Sequence, residues 1–377
     1  MELSAEDVLR INVLLAGPIK AIRIDESTMT LYALSDKGEA RVRLNPNCRD
    51  EIYLRCVRET LSSHVLGSPG GYPVYLKRWT RMGQTRERIL ESLLLLGEPE
   101  AVVAVVNAPG VTNEIARRAW WAAQTPENAR CMLGQQSVVD GDMGPVLADF
   151  LVEFLPFETE ARDMIASVRL ILQSDLISNE TRRDLWVRGK HKNSYYVGFL
   201  QAVPDELPDR LAPHPLWDEV CEKLEGLRQA RNPFAVQFCR LLGMEGQSFL
   251  NTVENVLNKP VNQDVVVSLL HAIAAYFETI RTDDTERRTM GDILTAADQM
   301  FAEGSVHGSA LGDLLSTIPG MGKEVHAMLV LSMVDEPLVN PIFSRTDAIG
   351  TVMRRNLKPV FEPLQRQFDM LRNRGGR

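Results

Sequence analysis

The chain has 377 residues, enough for two or three domains and a large buried core. A hydrophobic content of 45% with 24% charged residues is typical of globular proteins and excludes a chain that is disordered throughout. The net charge of −8 arises in residues 85–344 between basic ends, which argues against a general nucleic-acid binder but leaves a local anionic contact open.

Nothing in the composition predicts a membrane protein, a metal site or a cofactor. No apolar run reaches the length of a transmembrane helix, so we expect no membrane insertion. The first residues lack the basic start and apolar core of a signal peptide. The five cysteines are scattered, without Cys-x-x-Cys or zinc spacing, which predicts reduced structural thiols. We therefore expect a cytoplasmic protein without a bound cofactor.

Residues 1–84 predict a small α+β unit. Ser4 can cap a first helix that runs to about Ala16. Period-2 segments at 19–25, 29–35 and 39–44 then predict a three-stranded antiparallel meander, and a helix over about 50–64 should cover one of its faces. The alternation predicts these packed residues: Ile22, Ile24, Leu31, Val42 and Leu44.

Residues 85–204 predict a wholly helical, solenoid-like domain. Pro99 and Pro126 suit first helical turns, and Thr112 and Ser178 can cap further helices. Short helices joined by such turns favour repeat-like antiparallel helix pairs, with an irregular bundle as the alternative.

A proline-rich segment at 205–215 predicts a linker, and 216–377 predicts a helical bundle. Long helices are expected over 216–242, 247–257, 263–280, 290–302 and 323–334. Pro359 and Pro363 should confine the last helix to 364–373. The predicted fold class is mainly α, with the small α+β unit at the amino terminus.

A glycine- and proline-rich turn precedes a cationic, aromatic segment that holds the first candidate site. Lys77, Arg78, Trp79 and Arg81 follow the turn at 67–71, where glycine amides and cations could bind an anion or a partner. Neither nucleotide-binding glycine pattern is present. An interdomain turn with solvated cations is the simpler interpretation.

A second candidate partner site lies on the helix that Thr112 should cap. Arg117, Trp120 and Trp121 fall within it, and adjacent tryptophans on a helix point about 100° apart. One of them can enter the core while the other anchors a partner, because Trp and Arg are common at interface hot spots. Simple core packing of both is the alternative.

The turn at 318–327 resembles the hairpin of the helix-hairpin-helix family, written apolar-Pro-Gly-apolar-Gly-x-x-x-Ala. The resemblance implies contacts from Gly320, Gly322 and Lys323 to a DNA phosphate. The acidic flanks, Asp313 and Glu324 among them, would repel DNA. A tight helix–helix connection is therefore favoured.

No catalytic apparatus emerges from the chain. The six histidines share no metal or triad spacing, and His271 lies on an apolar helix face that predicts a core position. Arg130 beside Cys131 leaves a lowered thiol pKa open, although a buried inert thiol is favoured. The sequence thus predicts a non-enzymatic protein.

Four segments resemble the DsrS family, cytoplasmic proteins encoded with dissimilatory sulfite reductase in sulfur-oxidising bacteria. They are residues 1–16, 64–84, 93–106 (Leu-Leu-Leu-Leu-Gly-Glu-Pro-Glu-Ala-Val-Val-Ala-Val-Val) and 116–122 (Ala-Arg-Arg-Ala-Trp-Trp-Ala). The resemblance implies an accessory or regulatory role in the oxidation of stored sulfur, through contacts with cytoplasmic proteins of that pathway. It supplies no catalytic residues. A nucleic-acid-binding regulator and a thiol-dependent sulfur-handling protein are the alternatives.

Overall fold

The computed structural model of the chain describes residues 3–67, 87–281, 289–304, 309–346 and 348–372. Contacts within the chain divide it into two compact units, Met1–Phe154 and Leu155–Arg377. The predicted fold class is confirmed, since a three-stranded antiparallel sheet near the amino terminus is followed by helices. The predicted boundaries at 84 and 204 do not coincide with this division and stay predictions.

The first unit begins with a helix and a sheet at the predicted positions. The side chain of Ser4 accepts a hydrogen bond from the Asp7 N–H at 3.2 Å, which caps the first helix. The elements are α1 (Ala5–Leu15), β1 (Ile19–Asp25), β2 (Thr30–Ser35) and β3 (Gly38–Arg43). The strand order is β1-β2-β3, so β1 and β3 are the two edges.

The register of the sheet gives it two chemically different faces. Ile22 pairs with Ala33, and Leu31 pairs with Val42, which places apolar side chains on one face. This core face packs on α1 and on α2 (Asp50–Leu66). The alternation therefore decides which side of the meander is buried. Of the five predicted packed residues, Ile22, Leu31 and Leu44 are buried, and Ile24 and Val42 are partly buried.

Short capped helices complete the first unit. Thr112 and Thr125 accept hydrogen bonds from the Ile115 and Asn128 N–H groups, and Pro99 and Pro126 occupy first helical turns. The helices are α3 (Glu87–Leu93), α4 (Pro99–Val106), α5 (Asn113–Ala122), α6 (Pro126–Leu133), α7 (Gln136–Val139) and α8 (Met143–Phe154). Whether they form a repeat stays a prediction.

The described residues of the second unit form helices joined by loops, without a strand. Ser178 caps α10 as expected, because its hydroxyl accepts from the Thr181 N–H at 3.1 Å. The helices are α9 (Ala161–Ile171), α10 (Asn179–Arg188), α11 (Ser194–Ala202), α12 (Trp217–Lys223), α13 (Glu225–Gln229), α14 (Pro233–Leu242), α15 (Met244–Asn258), α16 (Gln263–Tyr276), α17 (Met290–Gly304), α18 (Ala310–Thr317), α19 (Gly322–Ser332), α20 (Asn340–Phe343) and α21 (Gly350–Leu371).

Two helix predictions are wrong. The stretch 216–242 forms three helices, because Arg231 has a φ of 57° and Asn232 caps a new helix that starts at Pro233. The last helix runs from Gly350 to Leu371 and contains both prolines. Burial of one face of this helix stabilises it by more than the two prolines destabilise it. The buried face consists of Met353, Leu357, Val360, Leu364, Phe368 and Leu371.

The proline-rich segment 205–215 packs on helices of the second unit. Asp205 accepts two hydrogen bonds from the Arg240 guanidinium, at 2.6 and 2.9 Å. The Leu211 N–H donates to the Ser248 hydroxyl at 2.9 Å, and Leu207 is buried. These contacts hold the segment against α14 and α15, and its role as a linker stays a prediction.

Candidate functional site

The face of the sheet opposite the core face carries arginine and tyrosine. Arg23 pairs with Tyr32, and Tyr32 pairs with Arg41, so the three residues form one row across β1, β2 and β3. Arg43 lies on the same face of β3, two residues beyond Arg41. We call this side of the sheet the arginine face.

An aromatic–arginine cluster, formed by Arg23, Tyr32, Glu39 and Trp121, covers part of the arginine face. The Arg23 guanidinium carbon lies 4.7 Å from the Tyr32 ring centroid and 4.9 Å from the Trp121 ring centroid. Glu39 accepts hydrogen bonds from Arg23 at 3.1 Å and from the Trp121 indole N–H at 3.0 Å. The cluster therefore fixes α5 against the sheet.

The residues of the second candidate partner site, Arg117, Trp120 and Trp121, do not lie together: one is in the core, one is in this cluster and one is exposed. Trp120 is buried and packs edge-on against the Phe150 ring, with 4.7 Å between their centroids. Trp121 points to the sheet and is half-buried. Arg117 is exposed and forms ion pairs with Glu114 at 2.6 Å and Asp142 at 3.3 Å. The role of these three residues in partner binding stays a prediction.

The two edges of the sheet differ in their surroundings. On the β1 side, the Ile22 N–H donates to the Leu94 carbonyl at 2.8 Å, and Gly97 approaches the same strand. Five of the six β3 residues are exposed, Val42 being the exception. Within the described residues no strand pairs with the outer edge of β3. An open edge of this kind can pair with another chain.

The turn between β2 and β3 decides which backbone groups face outward. Asp36 and Lys37 form a two-residue turn, so Ser35 and Gly38 make the first hydrogen-bonded pair. Hydrogen-bonded pairs alternate with pairs whose N–H and C=O groups point away. The outward groups on β3 therefore belong to Glu39, Arg41 and Arg43.

Arg41 and Arg43 are exposed cations on the arginine face. Neither forms an ion pair with any residue in the described part of the chain, whereas Arg23 is held by Glu39. Thr30, Tyr32 and hydroxyl groups of the β1–β2 loop line the same concave surface beside them. This part of the arginine face can attract an acidic group, because neither guanidinium is within ion-pair distance of a described carboxylate.

An apolar groove runs between α1 and β3 on the core-face side of the same edge. Leu9 and Val13 are 65% and 67% exposed, one helical turn apart on α1. Ala40 and Val42 of β3 form the opposite wall, and Arg10 lies at the rim. The groove has a volume of about 610 Å³. Arg41 and Arg43 line this groove as well as the concave surface on the arginine face, so β3 borders both.

A buried carboxylate holds α1 in position along this groove. The Asp7 side chain is fully buried and accepts hydrogen bonds from the Tyr53 hydroxyl and, at 2.7 Å, from the Asn45 N–H. Burial and the hydrogen bond to Asp7 raise the pKa of the Tyr53 hydroxyl, which keeps it protonated as a donor. The network joins α1 to α2 and to the residues after β3.

Two predicted sites remain, the cationic segment at 77–81 and the turn at 318–327. Lys77, Arg78, Trp79 and Arg81 fall outside the described residues. In the second unit, Pro319–Met321 forms a single turn between α18 and α19, and Lys323 is exposed at the start of α19. Gly320 is exposed, and Gly322 lies near Phe301. The DNA contact of this turn stays a prediction.

Three thiols, of which Cys239 is buried and Cys131 and Cys221 are half-buried, and one exposed histidine complete the set of candidate residues. Burial raises the pKa of the Cys131 thiol, which also donates to the Asn107 side chain at 3.3 Å. Burial likewise raises the pKa values of the neighbouring Cys221 and Cys239 thiols. The core position expected for His271 is wrong: its ring is exposed and lies 3.0 Å from Glu336, because α16 buries a different face.

The fold and the site define a mainly α protein whose amino-terminal α+β unit presents an open strand edge. No protein-family model, curated protein or solved structure matches the chain. No described helix is both long and apolar enough to span a membrane. Across the described residues, no group of three or more His, Cys, Asp or Glu side chains has the arrangement of a metal site.

Sequence reasoning missed the open edge, although two signals for it were present. Leu9 and Val13 lie four residues apart on α1 and off its buried side. The alternation of Arg41, Val42 and Arg43 places cations on one face of a strand and an apolar residue on the other. Neither pattern predicts that β3 lies at an edge of the sheet, because strand order depends on how the whole unit folds.

Proposed function

We propose that the chain is a non-enzymatic accessory protein that acts through protein–protein contacts in the cytoplasmic oxidation of stored sulfur. The resemblance of four segments to the DsrS family supports the pathway. One observation carries the mode of action: Arg41 and Arg43 are exposed and form no ion pair with a described residue, and they lie beside exposed Leu9 and Val13. Cations and apolar groups left open on one surface favour a protein partner.

The cluster around Trp121 supports a docking role for the same surface. Arg23 is held between two aromatic rings and Glu39, so the sheet and α5 present a rigid frame. A partner that binds a rigid surface orders fewer protein side chains, which reduces the entropic cost of association. The cationic part of the frame would receive acidic groups of the partner.

Affinity capture from sulfur-grown cells of a sulfur-oxidising bacterium tests the proposal. The tagged chain should enrich proteins encoded with dissimilatory sulfite reductase, identified by mass spectrometry. The double substitution Arg41→Glu and Arg43→Glu should reduce this enrichment at least about tenfold, because it replaces attraction by repulsion. The matched control is Arg169→Glu, an exposed arginine of α9.

Two results would overturn the proposal. One is capture of no protein of the sulfur oxidation pathway by the unaltered chain. The other is equal enrichment by the Arg41/Arg43 variant and the Arg169 control, which would show that the cationic surface plays no part.

A further inference from the structure

The open edge of β3 has the form of a site for an added strand. Strand β3 spans six residues, and Glu39, Arg41 and Arg43 direct an N–H and a C=O outward. An extended peptide that pairs with these groups would lie about 4.8 Å from β3, above the groove lined by Leu9 and Val13.

The two sides of the edge specify alternating side chains in the peptide. Side chains of an extended strand point to opposite faces in turn. One set would enter the apolar groove of Leu9, Val13 and Val42, and the other set would lie beside Arg41 and Arg43. The matching ligand alternates apolar and acidic residues.

We propose that β3 binds an extended partner segment of alternating apolar and acidic residues by strand addition. The inference rests on the proposed function and names the chemistry of the partner at that site. A second copy of the chain fits less well. In the antiparallel register centred on Arg41, the two Arg41 side chains would stand opposite each other, and like charges in that position are destabilising.

A labelled eight-residue peptide that alternates glutamate with valine is the probe. Fluorescence anisotropy should detect its binding, and hydrogen exchange should show added protection in residues 38–43. A peptide with the same residues in two blocks should bind at least about tenfold more weakly, because only alternation satisfies both sides of β3. In the alternating peptide, N-methylation of the residues whose N–H groups point to β3 should also abolish binding, because it removes those backbone donors.

Substitutions test each part of the edge separately. Leu9→Asp with Val13→Asp should weaken the peptide at least about tenfold, whereas Val103→Asp, at a 48% exposed valine of α4, should not. Arg41→Pro removes an outward N–H that β2 does not use. It should weaken binding further than Arg41→Ala, which removes only the charged side chain.

Several results would overturn strand addition. They are an absence of peptide binding at low salt, equal binding of the alternating and block peptides, and unchanged protection of residues 38–43. Concentration-dependent dimerisation that protects β3 without peptide would assign the edge to a second copy instead. Circular dichroism of each variant identifies loss of fold. The N-methylated peptide tests strand addition without any change to the protein.

The experiments separate this inference from the proposed function. If the Leu9/Val13 variant still captures proteins of the sulfur oxidation pathway, strand addition fails and the accessory function stands. If the alternating peptide binds but no protein of that pathway is captured, the accessory function fails and strand addition stands.

Discussion

Removal of the Asp7 carboxylate should destabilise the first unit strongly. Its oxygens accept hydrogen bonds from the Tyr53 hydroxyl and the Asn45 N–H, and both Asp7 and Tyr53 are buried. Asp7→Ala removes the acceptor that these two donors share, and a buried donor that loses its partner costs about 1–3 kcal/mol. Because Asn45 is exposed, water can satisfy its N–H, so the Tyr53 hydroxyl sets the expected loss of about 1–3 kcal/mol in the free energy of unfolding.

Hydrogen exchange at increasing urea concentrations measures this loss for the first unit by itself. Peptides from residues 3–67 report its opening, independently of the second unit. The control is Asp142→Ala, whose side chain is 89% exposed and forms one ion pair, so a change below about 0.5 kcal/mol is expected. Tyr53→Phe closes a double-mutant cycle and should couple to Asp7→Ala by at least about 1 kcal/mol.

If Asp7→Ala changes the free energy of unfolding by no more than Asp142→Ala, the buried carboxylate does not stabilise the first unit. Additive effects of the Asp7 and Tyr53 substitutions would also contradict the prediction, because they would mean that the two side chains do not stabilise each other.

Four further predictions concern single residues. An added Cβ at Gly198 would lie 2.6 Å from the nearest atom of α9, so Gly198→Ala should lower the free energy of unfolding in urea by about 1–3 kcal/mol. Pro359 is exposed inside α21 and lacks a helix N–H, so Pro359→Ala should raise that free energy by about 1–3 kcal/mol. Hydrogen bonds, above all from Ser27, lower the pKa of the Asp25 carboxyl from 3.8 to about 2, which NMR titration can measure. Burial raises the pKa of the Cys239 thiol, so iodoacetamide at pH 8 should modify it more slowly than in urea.

The lowered pKa of Asp25 also determines how the stability of the folded state depends on pH. The folded state binds the carboxyl proton less tightly, so the stabilisation is present above the unfolded pKa and is lost as the pH falls through about 2. Ser27→Ala should move the NMR midpoint back toward 3.8. An unchanged midpoint would contradict the assigned cause.

The other three predictions have equally definite contrary results. Stability of Gly198→Ala equal to the unaltered chain would mean that α9 and α11 separate without cost. A loss of stability in Pro359→Ala would mean that the proline ring contributes to the fold. Alkylation of Cys239 at the same rate with and without urea would contradict its burial and would support the thiol-dependent alternative.

The fold of the first 67 residues could be predicted because its signals are local. Ser4 caps α1 through its own side chain, and the period-2 segments place alternate residues on opposite faces. The turn at 36–37 sets the register of β2 and β3. Each of these effects acts within a few residues, so the sequence contains the whole cause.

The candidate site could be predicted only in part. The two tryptophans of α5 indicated that one would lie near the surface, but Trp121 contacts Arg23 and Glu39, which are far away in the chain. The open edge and its groove were not predicted. The helix that contains Pro359 was also missed, because long-range packing outweighed local preference.

Neighbouring residues suffice to specify the meander, the helix caps and the apolar side of most elements. Tertiary structure alone decided that one edge of the sheet is approached by residues 94–97 while the other stays open among the described residues. The spacing of apolar residues shows which side of an element is apolar. Whether that side is buried depends on which distant segment of the chain packs against it. Leu9 and Val13 are apolar in the sequence, and only the fold leaves them exposed beside β3.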